Sequence, residues 1–169
     1  MRKLTNFERL MVLMTASQGQ KDGYWVDNNL VAKLVADGDE WALSWKYSWF
    51  EEEAHPHDAI VEETVNIFEM MQHAKRSAEQ LGQPELFSAL RLEGFDGNND
   101  HHYHIAKVLV DKLNRFADLP KASANSHSIA SLGRYRSMLK RYEPIRKQLL
   151  SGAEYNLMDA DQLKTLAGD

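Results

Sequence analysis

Hydrophobic positions recur at three- and four-residue intervals along most of this chain, which is the spacing of amphipathic helices. Near the N-terminus, Thr5 and Glu8 form a Thr-x-x-Glu capping box, and an apolar face follows as far as Met14. Asp27 is placed to cap a second, short helix that ends near Gly38. The pattern therefore predicts two helices at the start of the chain.

The clearest pattern is that of a long helix of about seven turns. Pro56 suits its first position, and Gly82 with Pro84 marks its end. Residues 84–92 then form either a short helix or an extended segment. The inward face of the long helix consists of Ile60, Val61, Thr64, Val65, Phe68, Met71 and Ala78.

Three more helices are predicted in the second half of the chain. The first has its N-cap within residues 96–99 and runs to about Phe116. The second is capped by Ser128 and carries Pro144, which should kink it or end its first half. A small last helix follows Asp159, which opens another capping pattern.

The aromatic stretch at residues 41–50 is ambiguous. Trp41, Trp45 and Trp49 recur every four residues, as on one face of a helix. Trp45, Tyr47 and Trp49 also alternate, as in a strand, which suits the β-propensity of aromatic residues. We favour a helix or irregular structure over a strand.

Together these patterns predict an all-α fold of six or seven helices. Short connections favour long antiparallel helices, with a smaller N-terminal helical part. At most a minor β element is expected, near residues 41–50 and 88–95. The length predicts a single domain over residues 1–169, with possible sub-lobes at 1–50 and 51–169.

Composition narrows the class of protein. The chain has 169 residues, a net charge of −5 and no cysteine, which excludes disulfides and thiolate metal ligands and fits a reducing compartment. No stretch approaches the ~18 apolar residues of a membrane span. We therefore expect a soluble, cytoplasmic protein without a membrane partner. The negative charge also argues against generic nucleic-acid binding.

The charges are unevenly distributed. Residues 37–63 are strongly acidic, and residues 134–147 are strongly basic. Such a division is typical of two solvated faces, but it also suits self-association or a basic patch for an acidic partner. Because the basic segment carries two tyrosines, binding of a nucleic-acid backbone stays open as an alternative.

The densest histidine cluster follows the turn that begins at Gly94. In a helix, His101 and His104 share one face, whereas His102 points elsewhere. Asp96 from the turn adds a third possible metal ligand, and His57 could supply another from a separate helix start. The simpler interpretation is that Asp96 helps to cap a helix whose first turn carries half-buried, polar histidines.

The aromatic stretch is the best candidate for an interaction surface. Large rings within ten residues exceed what one helix face can bury in a small core, and Trp and Tyr are enriched at interfaces. Core burial explains part of the set equally well. The residues of the candidate surface are Trp41, Trp45, Trp49 and Phe50.

Four short segments of the chain carry a resemblance to a known family: Thr5-Asn6-x-x-Arg9-Leu10, Ile67-Phe68-Glu69-Met70, Gly94-Phe95-Asp96-Gly97-Asn98 and Tyr155-Asn156-Leu157. In this order and over nearly the whole chain, they resemble the YfbU-like family of bacterial proteins. The resemblance implies an all-helical fold that self-associates, with no accepted biochemical activity. It carries over no catalytic residues.

The leading hypothesis is a non-catalytic, cytoplasmic interaction or regulatory protein that forms a homo-oligomer. The chain has neither a Gly-x-Ser-x-Gly motif nor a glycine-rich phosphate loop, so we expect no cofactor and favour no catalysis, without excluding an enzyme. One alternative is a metal-binding helical protein that uses the region of His101 and His104, with hydrolysis as its activity. A second is a nucleic-acid-binding regulator that uses residues 134–147.

Overall fold

The computed structural model describes most of the chain. The described residues are 5–17, 26–47, 58–127, 129–150 and 156–168. Within these ranges the chain forms eight α-helices and no strand. The helices are α1 (Asn6–Ser17), α2 (Asn28–Asp37), α3 (Ala42–Lys46), α4 (Asp58–Gln80), α5 (Pro84–Ala89), α6 (His101–Lys107), α7 (Ser131–Leu150) and α8 (Ala160–Ala167).

The all-α prediction is confirmed. The described ranges hold eight helices rather than six or seven because both segments that the pattern left open contain a short helix, α3 and α5. After α3 the backbone becomes extended at Tyr47 (φ −121°, ψ 99°). The rest of the aromatic stretch, residues 48–50, lies outside the described ranges.

Side-chain caps fix several helix starts as predicted. In the capping box of α1, the Glu8 N–H donates to Thr5 Oγ1 (3.2 Å), and the Thr5 N–H donates to Glu8 Oε2 (2.8 Å). Asp27 caps α2, and Gly38 ends it with a left-handed φ of 75°. Asp159 forms a complete capping box at α8. Each cap satisfies backbone N–H groups that the first helical turn leaves unpaired.

The boundaries of α6 differ from the prediction. Its N-cap is Asp100 rather than a residue within 96–99. The helix passes into a π-helical turn, Val108–Lys112, and ends before Phe116. Left-handed backbone at Asn114 (φ 53°) and Phe116 (φ 57°) turns the chain there, which periodicity alone does not reveal.

The predicted start of α7 is also displaced. α7 begins at Ser131, and the predicted cap, Ser128, lies outside the described residues. Pro144 lies inside α7, which continues to Leu150, so this proline does not end the helix. Ser131 is fully buried and its hydroxyl donates to the Gly94 carbonyl (2.8 Å), which anchors the start of the helix.

Contacts between α4 and α7 follow the same order along both helices. Glu63 bonds to Arg136, and ten residues later His73 bonds to Tyr142. This order is that of helices that point the same way, whereas short connections favoured antiparallel packing. The reason is that α4 and α7 are not consecutive, since α5, α6 and a loop separate them.

The chain divides into two compact units, Met1–Pro56 and His57–Asp169. The described core of the first unit consists of Leu10, Val26, Val31, Leu34, Trp41, Ala42, Leu43 and Tyr47. In the second unit, aromatic rings form the centre of the core. The Phe68 ring lies 5.9 Å from Phe95 and 5.3 Å from Phe116, and Phe95 meets Tyr135 edge-on at 5.5 Å.

The turn that begins at Gly94 is held from two sides. Gly94 has a φ of 78°, and a Cβ atom there would overlap the Ala124 carbonyl, so the position requires glycine. Tyr135 donates its hydroxyl to the Gly94 carbonyl (3.0 Å). Next to it, an isolated bridge joins Phe95 to Asn125 and is the only β-type pairing in the described ranges. The turn is therefore a rigid support for α6.

Candidate functional site

The three residues of the predicted metal site differ in their exposure to solvent. His101 and His104 are exposed on α6. Asp96 is only 5% exposed, and its carboxylate accepts hydrogen bonds from the Asn98 N–H (2.9 Å) and the Asn99 side-chain amide (2.6 Å). Its oxygens therefore stabilise the turn, in the manner of an Asx turn.

No group of three or more His, Cys, Asp or Glu side chains in the described ranges is arranged to hold a metal ion. His101, His104 and Asp96 all lie in those ranges, so they do not form such a group. The fourth candidate ligand, His57, lies outside them.

The predicted interaction surface is only partly described. Trp41 is 5% exposed and belongs to the core of the first unit. Trp45 is half-buried, and Trp49 and Phe50 lie outside the described residues. Nearby, the Asp27 N–H donates to the Tyr47 hydroxyl (2.8 Å), and burial raises the pKa of Tyr47. In its described part, the aromatic stretch helps to fix the packing of α2 and α3.

Several side chains of the basic segment bind groups of the same chain. Arg134 contacts Glu93 (3.0 Å), and Arg136 contacts Glu63 (2.7 Å). Arg141 donates through two guanidinium nitrogens to the Leu166 carbonyl, at the end of α8 (2.9 and 3.1 Å). These arginines hold the second unit together, and that role competes with binding a nucleic-acid backbone.

A closed cluster of Glu63, His102 and Arg136 joins α4, α6 and α7. Glu63 Oε2 lies 2.7 Å from His102 Nε2, and Arg136 donates to both carboxylate oxygens (2.7 and 2.9 Å). The hydrogen bonds from Arg136, with a smaller contribution from His102, lower the pKa of Glu63 to about 2, although burial opposes the shift. The carboxylate is therefore ionised over the whole physiological range.

His102 is the buried member of the histidine cluster, at 5% exposure. Its ring stacks on Phe95 at 5.5 Å, and its Nδ1 atom has no hydrogen-bond partner within the described chain. Sequence reasoning concentrated on His101 and His104 and missed this residue. The signal was present, since His102 shares the inward face of the helix with Ile105 and Leu109.

A second group of polar side chains lines a cavity of about 240 Å³ in the second unit, which we call the polar pocket. One wall comes from α4, at positions i, i+3, i+4 and i+7 of a single helix face, and the other from α7 at positions i and i+4. Its lining residues are Glu69, Gln72, His73, Arg76, Tyr142 and Arg146.

His73 fixes the floor of the polar pocket. Its Nε2 atom lies 3.1 Å from the Asn156 carbonyl, which can only accept, so Nε2 carries a proton and donates. In the neutral ring, Nδ1 then accepts from the Tyr142 hydroxyl at 2.8 Å. Burial lowers the pKa of His73, and the positive charges of Arg76 and Arg146 lower it further.

The two arginines of the polar pocket differ from those of the closed cluster. Within the part of the chain that the structure describes, neither Arg76 nor Arg146 forms a hydrogen bond or an ion pair. Sequence reasoning identified only the apolar face of α4 and missed the pocket. The spacing of Gln72, His73 and Arg76 was the available signal, but it becomes informative only once α7 is known to cover that face.

An apolar groove lies between α1 and α2 of the first unit, with a volume of about 230 Å³. Two of its side chains are largely exposed, Phe7 at 49% and Met11 at 47%. Exposed large apolar side chains that gather in one place are typical of contact surfaces. The groove is lined by Phe7, Leu10, Met11, Met14, Val31, Ala32, Val35 and Ala36.

The comparison with protein families decides the identity of the domain. The family model of the YfbU domain matches residues 2–166 of the 169-residue chain. The chain belongs to the YfbU family. This confirms the resemblance of the four sequence segments, and it places the apolar groove, the closed cluster and the polar pocket within the YfbU domain.

Other comparisons add no relative of the YfbU chain. Neither a search of curated proteins nor a search of solved structures found a match. None of the described helices of this YfbU domain is long and apolar enough to cross a membrane.

Proposed function

We propose that this YfbU protein is a non-catalytic interaction protein of the cytoplasm that self-associates through the apolar groove of its first unit. The observation that carries the proposal is the exposure of Phe7 and Met11 at the edge of a groove lined by apolar side chains. The absence of cysteine suits a cytoplasmic location.

A second copy of the chain is the occupant that the groove suits best. The same surface offers large projecting side chains on α1, Phe7 and Met11, and small or branched ones on α2, including Ala32 and Val35. A two-fold axis would bring the projecting residues of each copy onto the hollow of the other. Such an isologous contact needs a patch that is complementary to itself, and most soluble oligomers are built this way.

The contacts of the buried histidines support a non-catalytic role. His102 joins α6 to α4 through Glu63, and His73 joins α4 to α7 through Tyr142. Both rings thus form stabilising contacts between helices. The arginines that pair with Glu93 and Glu63 likewise hold elements together, so we do not propose a nucleic-acid partner.

The proposal is tested by the mass of the full-length protein in solution, measured by light scattering after size-exclusion chromatography at tens of micromolar. We expect an oligomer for the wild-type chain and a monomer for Phe7→Glu, because a buried carboxylate at the contact would lack a partner. Ile129→Glu is the matched control, since Ile129 is equally exposed (48%) but lies outside the groove.

A wild-type monomer at the highest concentration would overturn the proposal. So would an oligomer that Phe7→Glu leaves intact. Circular dichroism of each variant checks that the helices are retained, and Phe7→Leu should preserve the oligomer because the side chain stays apolar.

A further inference from the structure

We propose that the polar pocket binds the phosphate group of a small phosphate monoester, held by Arg76 and Arg146. This site shares no lining residue with the apolar groove, since its residues belong to the second unit and those of the groove to the first. Arg76 and Arg146 both line this cavity, and neither forms a hydrogen bond or an ion pair inside the described ranges.

The first step of the argument is the contrast among the arginines. Arg134 and Arg136 each bind a carboxylate within 3.0 Å, so this fold supplies partners to arginines that serve its packing. Arg76 and Arg146 are instead held on two different helices and converge on a cavity. A guanidinium presents its donors as a rigid fork that matches the oxygens of phosphate, and two forks can bind three oxygens at once.

The second step is the rigidity of the pocket floor. His73 is bonded on one side to Tyr142 and on the other to the Asn156 carbonyl, so α4, α7 and the segment before α8 are tied at one ring. Gln72 is also held, because its amide donates to Asp118 Oδ1 (2.8 Å). An arrangement that is fixed before the ligand arrives loses little entropy on binding.

The third step is the size and remaining chemistry of the cavity. At about 240 Å³ it holds more than a single ion, since one water occupies about 30 Å³ of the liquid. Glu69 lies in the lining and provides carboxylate oxygens that can only accept hydrogen bonds. A ligand with hydroxyl groups beside its phosphate would satisfy both the arginines and Glu69, whereas a polyanion would be repelled by that carboxylate.

Isothermal titration calorimetry of the full-length protein at low salt tests the site, with glucose 6-phosphate, inorganic phosphate and glucose as probes. We expect saturable binding of glucose 6-phosphate with a Kd below about 1 mM and no binding of glucose. Inorganic phosphate tests whether the pocket prefers the phosphate group of a monoester or the free phosphate ion. Weaker binding of the free ion supports a monoester, and tighter binding would overturn that part of the proposal.

Variants assign the binding to the pocket. Arg76→Met and Arg146→Met should each weaken binding at least tenfold, and Arg76→Lys should restore only part of it because the fork is lost. Lys140→Met is the matched control, since it removes an exposed positive charge from α7 outside the lining. Phe7→Glu should bind the probe like the wild type, so failure of the site and failure of self-association are distinguishable.

Absence of binding by all three probes at 10 mM would overturn the proposal, taking about 10 mM as the limit of even weak specific binding. Equal losses in Lys140→Met and Arg76→Met would also overturn it, because they would show that only net charge matters. Thermal unfolding of each variant confirms that a loss of binding is not a loss of fold.

Discussion

The closed cluster and the polar pocket each combine a histidine and a glutamate with arginine, and they differ in how the arginine is used. In the closed cluster, Arg136 holds Glu63, which in turn contacts the buried His102. In the polar pocket, Arg76 and Arg146 line an open cavity, and the histidine is bonded to neutral groups instead.

The difference shows that similar side chains can stabilise the fold in one place and remain available for ligand binding in another. A charge whose partner lies in the same chain lowers the free energy of the folded state, and its removal should unfold the protein more easily. A charge that faces a cavity without such a partner contributes little to folding and is available to a ligand. Three measurements of unfolding, in order of expected effect, test whether this division is real.

The largest effect is expected for Glu63→Gln in the closed cluster. The change removes the charge that both Arg136 and His102 contact, and His102 is almost fully buried. We expect a loss of about 2 kcal/mol in the free energy of unfolding, since a charged hydrogen bond contributes about 1.5–3 kcal/mol and solvent screens the exposed Arg136. Urea denaturation at pH 7 measures it.

Glu62→Gln is the control for this variant, because Glu62 is exposed on the adjacent position of α4. It should change stability by no more than about 0.5 kcal/mol.

Acid titration gives a second check of the closed cluster. The pKa of Glu63 is lowered from 4.5 to about 2, so its stabilisation is complete above pH 4.5 and is lost as pH falls towards 2. If the free energy of unfolding depended on acidic pH in the same way for the wild type and Glu63→Gln, the assignment of this stabilisation to Glu63 would be contradicted.

A smaller effect is expected from the titration of His73 in the polar pocket. Burial and two arginines lower its pKa from 6.5, so the unfolded chain binds a proton more readily than the folded one. Stability should therefore decrease as pH falls from 6.5 towards the lowered pKa and level off below it, with a slope of at most about 1.4 kcal/mol per pH unit. Urea denaturation between pH 5 and 8, values that bracket the histidine range, measures it.

The charged and titratable groups around His73 are known on both helices. They are Glu69 and Arg76 on α4, with Tyr142 and Arg146 on α7. His73→Gln should remove this contribution to the slope. If the variant keeps the wild-type slope, another group is responsible and the contrast between the two histidine environments fails.

The smallest effect is expected for Arg76→Met and Arg146→Met on stability. Neither guanidinium has a hydrogen bond or ion pair in the described ranges, so each change should alter the free energy of unfolding by less than about 0.5 kcal/mol. Arg136→Met, measured in the same way, should cost more because it releases Glu63. Equal losses in all three variants would remove the distinction between the closed cluster and the polar pocket.

Much of the helical architecture could be predicted from local signals. The caps at Thr5, Asp27 and Asp159 depend on residues three positions apart, and the structure confirms each of them. The family was also recognisable from short segments, which the match over residues 2–166 confirms. Such signals can be recognised in a sequence because they act within one helical turn.

The candidate sites could not be predicted in the same way. The partners in the closed cluster are 39 and 73 residues apart, and those of His73 are 69 and 83 residues away. No periodicity relates them, because their encounter depends on how α4, α6 and α7 pack. Sequence reasoning also favoured antiparallel helices, and that arrangement would have brought Glu63 and His73 to the wrong ends of α7.

The attachment of α8 has a consequence for the dynamics of this helix. A helix of eight residues is too short to persist by itself in water, so its order depends on docking. The Met158 N–H donates to Ser77 Oγ (3.0 Å), the Asn156 carbonyl binds His73, and Arg141 holds the Leu166 carbonyl. Backbone amides of α8 should therefore exchange with solvent at the slow rate of α4, as one cooperative unit, rather than at the fast rate of a frayed terminus.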